Sequence, residues 1–182
     1  MNSILKGVYG TDSGMLVIWR RDSFREVVDY DSWERELLDD SDIERHIRAG
    51  AITPINIHSD GAFACEVRFS TDHVPASLSE RERRFLAVSS PPYKFHSTGE
   101  LLISGIEYVE KEPGRNVGIL KLPPGDYVTE VHLIAWDEEP DMKQKDGKPS
   151  ALAMPDFVVL LNPAHSSGDG FRNSVETFEK KA

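Results

Sequence analysis

Apolar and polar residues alternate most regularly in two stretches. In residues 62–70, Phe63, Cys65, Val67 and Phe69 face one way while Ala64, Glu66, Arg68 and Ser70 face the other, the pattern of a strand with one wet face. In residues 122–137, Pro123 and Pro124 fix φ and withhold two backbone donors, and Gly125 supplies a flexible corner. Beyond that corner Tyr127, Thr129, Val131, Leu133 and Ala135 form one face, which reads as core. Val128, Glu130, His132, Ile134 and Trp136 form the other, suited to a half-covered sheet face or a recognition surface. Two unbroken apolar runs, 13–19 and 157–161, predict a buried strand and a central strand.

The remaining elements follow from weaker signals. A second strand is expected at 24–28, paired with the first. Asp31 with Glu34 and Ser41 with Glu44 have capping-box spacing, predicting short helices at 31–39 and 42–49, the second ending at Gly50. Ser77 with Glu80 repeats that spacing ahead of a strand at 85–88. Residues 51–59 read as extended, broken by Pro54. Strands at 100–109 and 117–122 should pair through a turn at 111–114 and continue past the Pro-Pro-Gly corner as an antiparallel meander. Residues 137–150 are polar and carry Pro140, Gly147 and Pro149, so a mobile loop is predicted. The fold class is therefore mostly β: an antiparallel β-sandwich-like domain over 1–161 with two or three short helices, followed by a loosely attached tail over 162–182.

Charge narrows the partners. A formal net charge of −10 gives a mean field that repels nucleic acid and anionic membrane and attracts basic proteins. Nine carboxylates fall between Glu26 and Glu44, against Arg35 as the one basic residue. With Cys65 the only cysteine, an intrachain disulfide and a Cys-rich zinc site are excluded. On the strand pattern Cys65 reads as core. The amino terminus lacks the long apolar centre of a signal peptide, and no run approaches the roughly 20 apolar residues of a membrane span. A cytoplasmic protein is expected.

Catalytic signatures are absent: there is no Gly-rich phosphate loop, GxSxG elbow, HExxH or complete EF-hand loop. Six histidines are scattered without ligand spacing; a site from His58, His96 and His132 with Asp60 or Asp137 is conceivable, but no metal or cofactor is expected. The adjacent pairs Asp72–His73 and Trp136–Asp137 point to opposite faces of an extended chain and so cannot readily cooperate. A set of Ser104, His132 and a carboxylate is imaginable on a sheet face, without a strained nucleophile turn to support it. Trp33, placed among carboxylates, is the better candidate for an interaction anchor.

Residues 95–133 resemble small bacterial β-sandwich proteins of the competence-protein-J, nuclease-inhibitor type and similar proteins encoded beside toxins. There an aromatic and a glycine introduce one strand and a Leu-Pro-x-Gly-x-Tyr corner the next; Phe95, Gly99, Leu122, Pro123, Gly125 and Tyr127 hold those places. The resemblance implies a non-catalytic inhibitor of a nuclease and transfers no individual binding residue. The leading expectation is thus an acidic, non-enzymatic binding protein, an inhibitor or immunity protein for a basic toxin or nuclease. Its candidate binding residues are Trp33, Glu34, Glu36, Asp39, Asp40, Glu130, His132 and Trp136. Two alternatives stay open: an enzyme with a small-molecule or metal-dependent site on the His132 and Trp136 sheet face, and a structural or assembly subunit.

Overall fold

The computed structural model describes residues 2–70, 74–165 and 170–179; the Asp72–His73 pair lies outside them. The chain is mostly β, in two sheets that face each other without closing into a barrel. The first sheet contains β1 (Asn2–Thr11), β4 (Gly61–Ser70), β5 (Leu86–Ser89), β6 (Tyr93–Ser97), β9 (Gly125–Ile134) and β10 (Phe157–Pro163). Its order is β1-β4-β10-β9, with β5 and β6 sharing the outer edge of β9. The second holds β2 (Met15–Trp19), β3 (Ile52–Asn56), β7 (Glu100–Gly105) and β8 (Gly118–Lys121) in the order β3-β2-β7-β8.

The inner faces meet in one apolar core. Cys65, Val67 and Phe69 from β4, Val131 from β9 and Phe157, Val159 and Leu161 from β10 pack against Leu16, Ile18, Leu101, Ile103 and Leu120 of the second sheet. The alternation read from 62–70 and 127–133 therefore assigns these inner faces correctly. β10 is central, as its unbroken apolar run predicts, but it pairs parallel to β4 and antiparallel to β9. One parallel pair thus interrupts the expected antiparallel pattern, because the long stretch between β4 and β10 returns the chain in the same direction.

The meander holds for β7 and β8 and stops at the Pro-Pro-Gly corner. β9 lies in the other sheet, so the corner carries the chain across the sandwich; Gly125 there has φ of +151°. Tyr127 Oη donates back to Pro123 O at 2.9 Å and pins the turn. β1 was not foreseen, because Gly7 occupies an inward position. The Tyr9 ring folds over it, and a Cβ at Gly7 would stand 2.6 Å from Tyr9 Oη. No strand forms at 24–28: a 3-10 turn, Arg21–Phe24, ends at its first residue and a turn without ladder pairing follows, and Arg20 Nε and Nη2 donate to Ser23 Oγ at 2.9 and 2.6 Å. Pro54 is accommodated because β3 is an edge strand.

Both outer faces are covered. Helices α1 (Tyr30–Leu37) and α2 (Asp40–Arg48) lie on the second sheet and bury Leu37, Ile43 and Ile47 with Val17, Trp19 and Leu102. Two of the predicted capping boxes form two residues from their expected places, Asp29 with Ser32 on α1 and Ser79 with Glu82 on α3 (Glu80–Arg84), while α2 starts after Asp39, whose side chain makes no cap bond. On the first sheet α3 and residues 137–155 cover Ile134, Val158 and Leu160 with Leu78 and Met154. The segment predicted to be a mobile loop is tied down there, with Arg81 Nη2 donating to Glu139 at 2.6 Å and to Leu152 O at 2.8 Å. The stretch from 162, read as a loose tail, begins inside β10, and its part 170–179 lies against the sandwich. Thr177 Oγ1 donates to Pro54 O, and Tyr93 Oη donates to Glu176 O at 3.0 Å.

Arg68 fixes α3 to the sheet. It binds Glu66 at 2.6 Å and Glu82 through both terminal nitrogens, and all three side chains are nearly buried. Burial raises the Glu82 pKa, but hydrogen bonds from Arg68 and Ser79 outweigh it and hold the carboxyl below its ordinary value. Removing one partner would strand a buried charge, at about 3–5 kcal/mol.

Cys65 is 2% exposed, and burial, followed by the charge of Asp156, pushes its thiol pKa well up. A thiol reagent should therefore label it only after unfolding. Rapid labelling of the native protein would place β4 in the opposite phase.

Candidate functional site

An apolar groove lies where α1 meets the second sheet. Val27 and Val109, both buried, form the floor of a groove of about 590 Å³; Tyr30, Trp33 and Leu38 form one wall, and Asp12, Ser13, Asp29, Glu107 and Glu110 the rim. α1 presents Tyr30 and Trp33 together because residues three apart share a helix face. Their rings stack at 6.1 Å with 19° between planes, and the Trp33 indole N–H donates to Ile106 O at 2.9 Å, which fixes the ring against the sheet. Tyr30 and Leu38 are 65% and 50% exposed, and Val28 beside them is 62% exposed, so the groove opens into an apolar patch.

Glu107 builds the opposite rim. Its carboxylate accepts from Asp12 N–H at 2.7 Å, Ser13 Oγ at 2.6 Å and Thr11 Oγ1 at 3.1 Å, latching the β1–β2 turn to the 3-10 turn after β7. Among the described residues, four carboxylates and no basic side chain line the groove.

The structure divides the predicted binding residues. Trp33 lies in the groove wall, and Glu34 is exposed one position along α1, within 3.5 Å of Tyr30 Oη. Glu36 faces α2 and pairs with Arg45 at 3.1 Å and His46 at 3.0 Å. Asp39, the residue before α2, and Asp40, its first residue, are exposed directly after Leu38. Several of the nine carboxylates thus serve the helices: Asp29 caps α1, Asp40 and Asp42 lie in the first turn of α2, and Glu44 pairs with Arg48.

Glu130, His132 and Trp136 lie on the far side of the molecule, on the covered face of the first sheet. His132 Nδ1 is 2.7 Å from Ser89 Oγ, its Nε2 has no partner among the described residues, and the Trp136 indole donates to Asp156 at 2.7 Å. Ser104 is buried in the second sheet, where it accepts from the Trp19 indole, so the set of Ser104, His132 and a carboxylate is not assembled. Among the described residues no three His, Cys, Asp or Glu side chains gather as a metal site.

Sequence reasoning missed Tyr30 and Leu38. Tyr30, three residues before Trp33, could have been found from helical spacing. Asp12, Glu107 and Glu110 come from distant segments and carry no local signal.

No family model matches the chain, and no curated protein does. Among solved structures it is similar to the protein described as crocagin biosynthetic gene J, with a TM-score of 0.60 at 16% identity, covering 90% of this chain and 98% of that one. It also aligns with ComJ of Bacillus subtilis, described as an inhibitor of the DNA-degrading activity of NucA, with a TM-score of 0.48 at 13% identity over 90% and 99% of the two chains. The likeness is one of fold. No helix among the described residues is long and apolar enough to cross a membrane.

His46 and His132 supply a pH signature. Burial lowers both pKa values, against an opposing pull from Glu36 on His46 and from Glu82 on His132. The unfolded chain therefore binds protons first. The stability that depends on neutral imidazoles is complete above the unfolded value of about 6.5 and is lost as pH falls through the depressed folded values. Urea unfolding should show the midpoint dropping between neutral pH and about pH 5, with a shallower drop in His132→Asn. A midpoint that rises over that interval would contradict this.

Proposed function

We propose that this protein is a non-enzymatic, cytoplasmic binding protein whose Trp33 groove receives a basic protein, and that it acts as an inhibitor or immunity protein toward a basic toxin or nuclease. The observation that carries the reading is the groove itself: a buried apolar floor, exposed Tyr30 and Leu38 in its wall, and a rim of four carboxylates without a cation. An apolar centre with an aromatic anchor supplies affinity, while like charges around it speed encounter with an oppositely charged partner. Glu34, Asp39 and Asp40 extend the acidic rim along α1 and into α2. A catalytic site at His132 has less support, because α3 and residues 137–155 cover that sheet face and Trp136 is committed to Asp156.

The inhibitor role is what the resemblance of residues 95–133 implies, and binding to the groove would exert it by occlusion. The test is capture from a lysate of the source cell with the wild-type protein and with Leu38→Arg, which places a cation in the groove without entering the core. Capture should be lost in the variant and weakened by salt. With the captured protein purified, Trp33→Ala should speed dissociation by about 2 kcal/mol or more in free energy, while Asp39→Asn with Asp40→Asn slows association and flattens its salt dependence. Equal capture by Leu38→Arg would remove the groove from the account.

A further inference from the structure

The carboxylates of the groove are not equally occupied. Glu107 is filled by its three donors, and Asp29 Oδ1 accepts from Ser32 N–H at 2.9 Å and Ser32 Oγ at 2.6 Å. Among the described residues the side chains of Asp12 and Glu110 have no hydrogen-bond or ion-pair partner, although both line the same depression. Beside them Trp33 covers one side of the Tyr30 ring, and the rest of that ring stays open. An exposed aromatic face, two unengaged carboxylates and an exposed apolar side chain, Leu38, are the three surfaces that one side-chain type can satisfy together.

We propose that the groove receives an arginine side chain of the protein partner, its guanidinium stacked on Tyr30 and bonded to Asp12 or Glu110 while its methylene stem lies along Leu38. This rests on the binding reading above and specifies its anchor. Arginine fits better than lysine for two reasons. Its planar cation stacks on an aromatic face and forks onto a carboxylate, whereas an ammonium is a strongly hydrated point charge that does neither as well. Its stem also covers apolar surface while the head reaches the rim.

The probes are N-acetyl-arginine methylamide and its lysine and citrulline counterparts, titrated into the ¹⁵N-labelled full chain while the Trp33 indole N–H resonance is followed, assigned with Trp33→Phe. The arginine compound should shift that signal saturably, with the lysine compound several-fold weaker and the uncharged citrulline compound at least about tenfold weaker. Asp12→Asn with Glu110→Gln should abolish the preference over citrulline, and Tyr30→Ala the preference over lysine. Equal binding of citrulline and arginine, or a saturable arginine response confined to signals outside the groove, would overturn the proposal. If no arginine response is seen while Leu38→Arg still loses the captured partner, the arginine anchor is wrong and the binding reading stands. If Leu38→Arg captures as well as wild type, both fall.

Discussion

β10 is the constraint on which the rest of the architecture depends. Phe157, Val158, Val159, Leu160 and Leu161 are all buried, so both faces of one strand must be kept from water. At about 1.5–3 kcal/mol for each large apolar side chain, leaving either face open would forfeit a large part of a marginal stability. The second sheet covers the face with Phe157, Val159 and Leu161; α3 and residues 137–155 cover Val158 and Leu160. The buried Glu66–Arg68–Glu82 cluster then holds α3 in place. A polar segment of 137–150 is ordered over this face because its neighbours have apolar surface to hide, not through any propensity of its own.

The groove is a by-product of the same layering. Once the chain crosses between sheets at Pro123 and Pro124, the second sheet has an outer face that α1 and α2 must cover. α1 stops short of the β1–β2 turn, and Glu107 draws that turn toward the end of β7. The space left between them has a hydrophobic floor because Val27 and Val109 belong to the core beneath the helices. Its rim is acidic because helix N-termini favour carboxylates and because Glu107 is needed as a latch. Part of the acidity that looks superfluous in the sequence is therefore structural. Among the described residues Asp12 and Glu110 have no such duty, and both line the groove.

Legibility followed the range of the interaction involved. The faces of β4 and β9 and the central place of β10 could be read from alternation and from an unbroken apolar run, because burial on a pleated strand repeats every second residue. β1 escaped because the residue that makes it fit, Gly7, is chosen by the Tyr9 ring and leaves no apolar mark. The caps of α1 and α3 and the start of α2 were misplaced by two residues because Asp, Ser and Glu are abundant around each of them, and the competing caps differ only in tertiary setting. The crossing at Pro123–Gly125 was legible as a corner but not as a change of sheet, which depends on where β10 lies. Of the candidate site, Trp33 was legible as an aromatic among carboxylates. Asp12, Glu107 and Glu110 were not, being brought together only by the fold.

The central claim is that the Trp33 groove, and not the His132 face, is where this protein meets its partner. The direct measurement is site-specific photo-cross-linking, with a benzophenone side chain introduced at Leu38 on the groove wall and, separately, at Leu152, which is 72% exposed over the opposite layer. The account predicts a single strong adduct to one basic protein from position 38, diminished by salt, and none from position 152. An adduct from position 152 alone would contradict it.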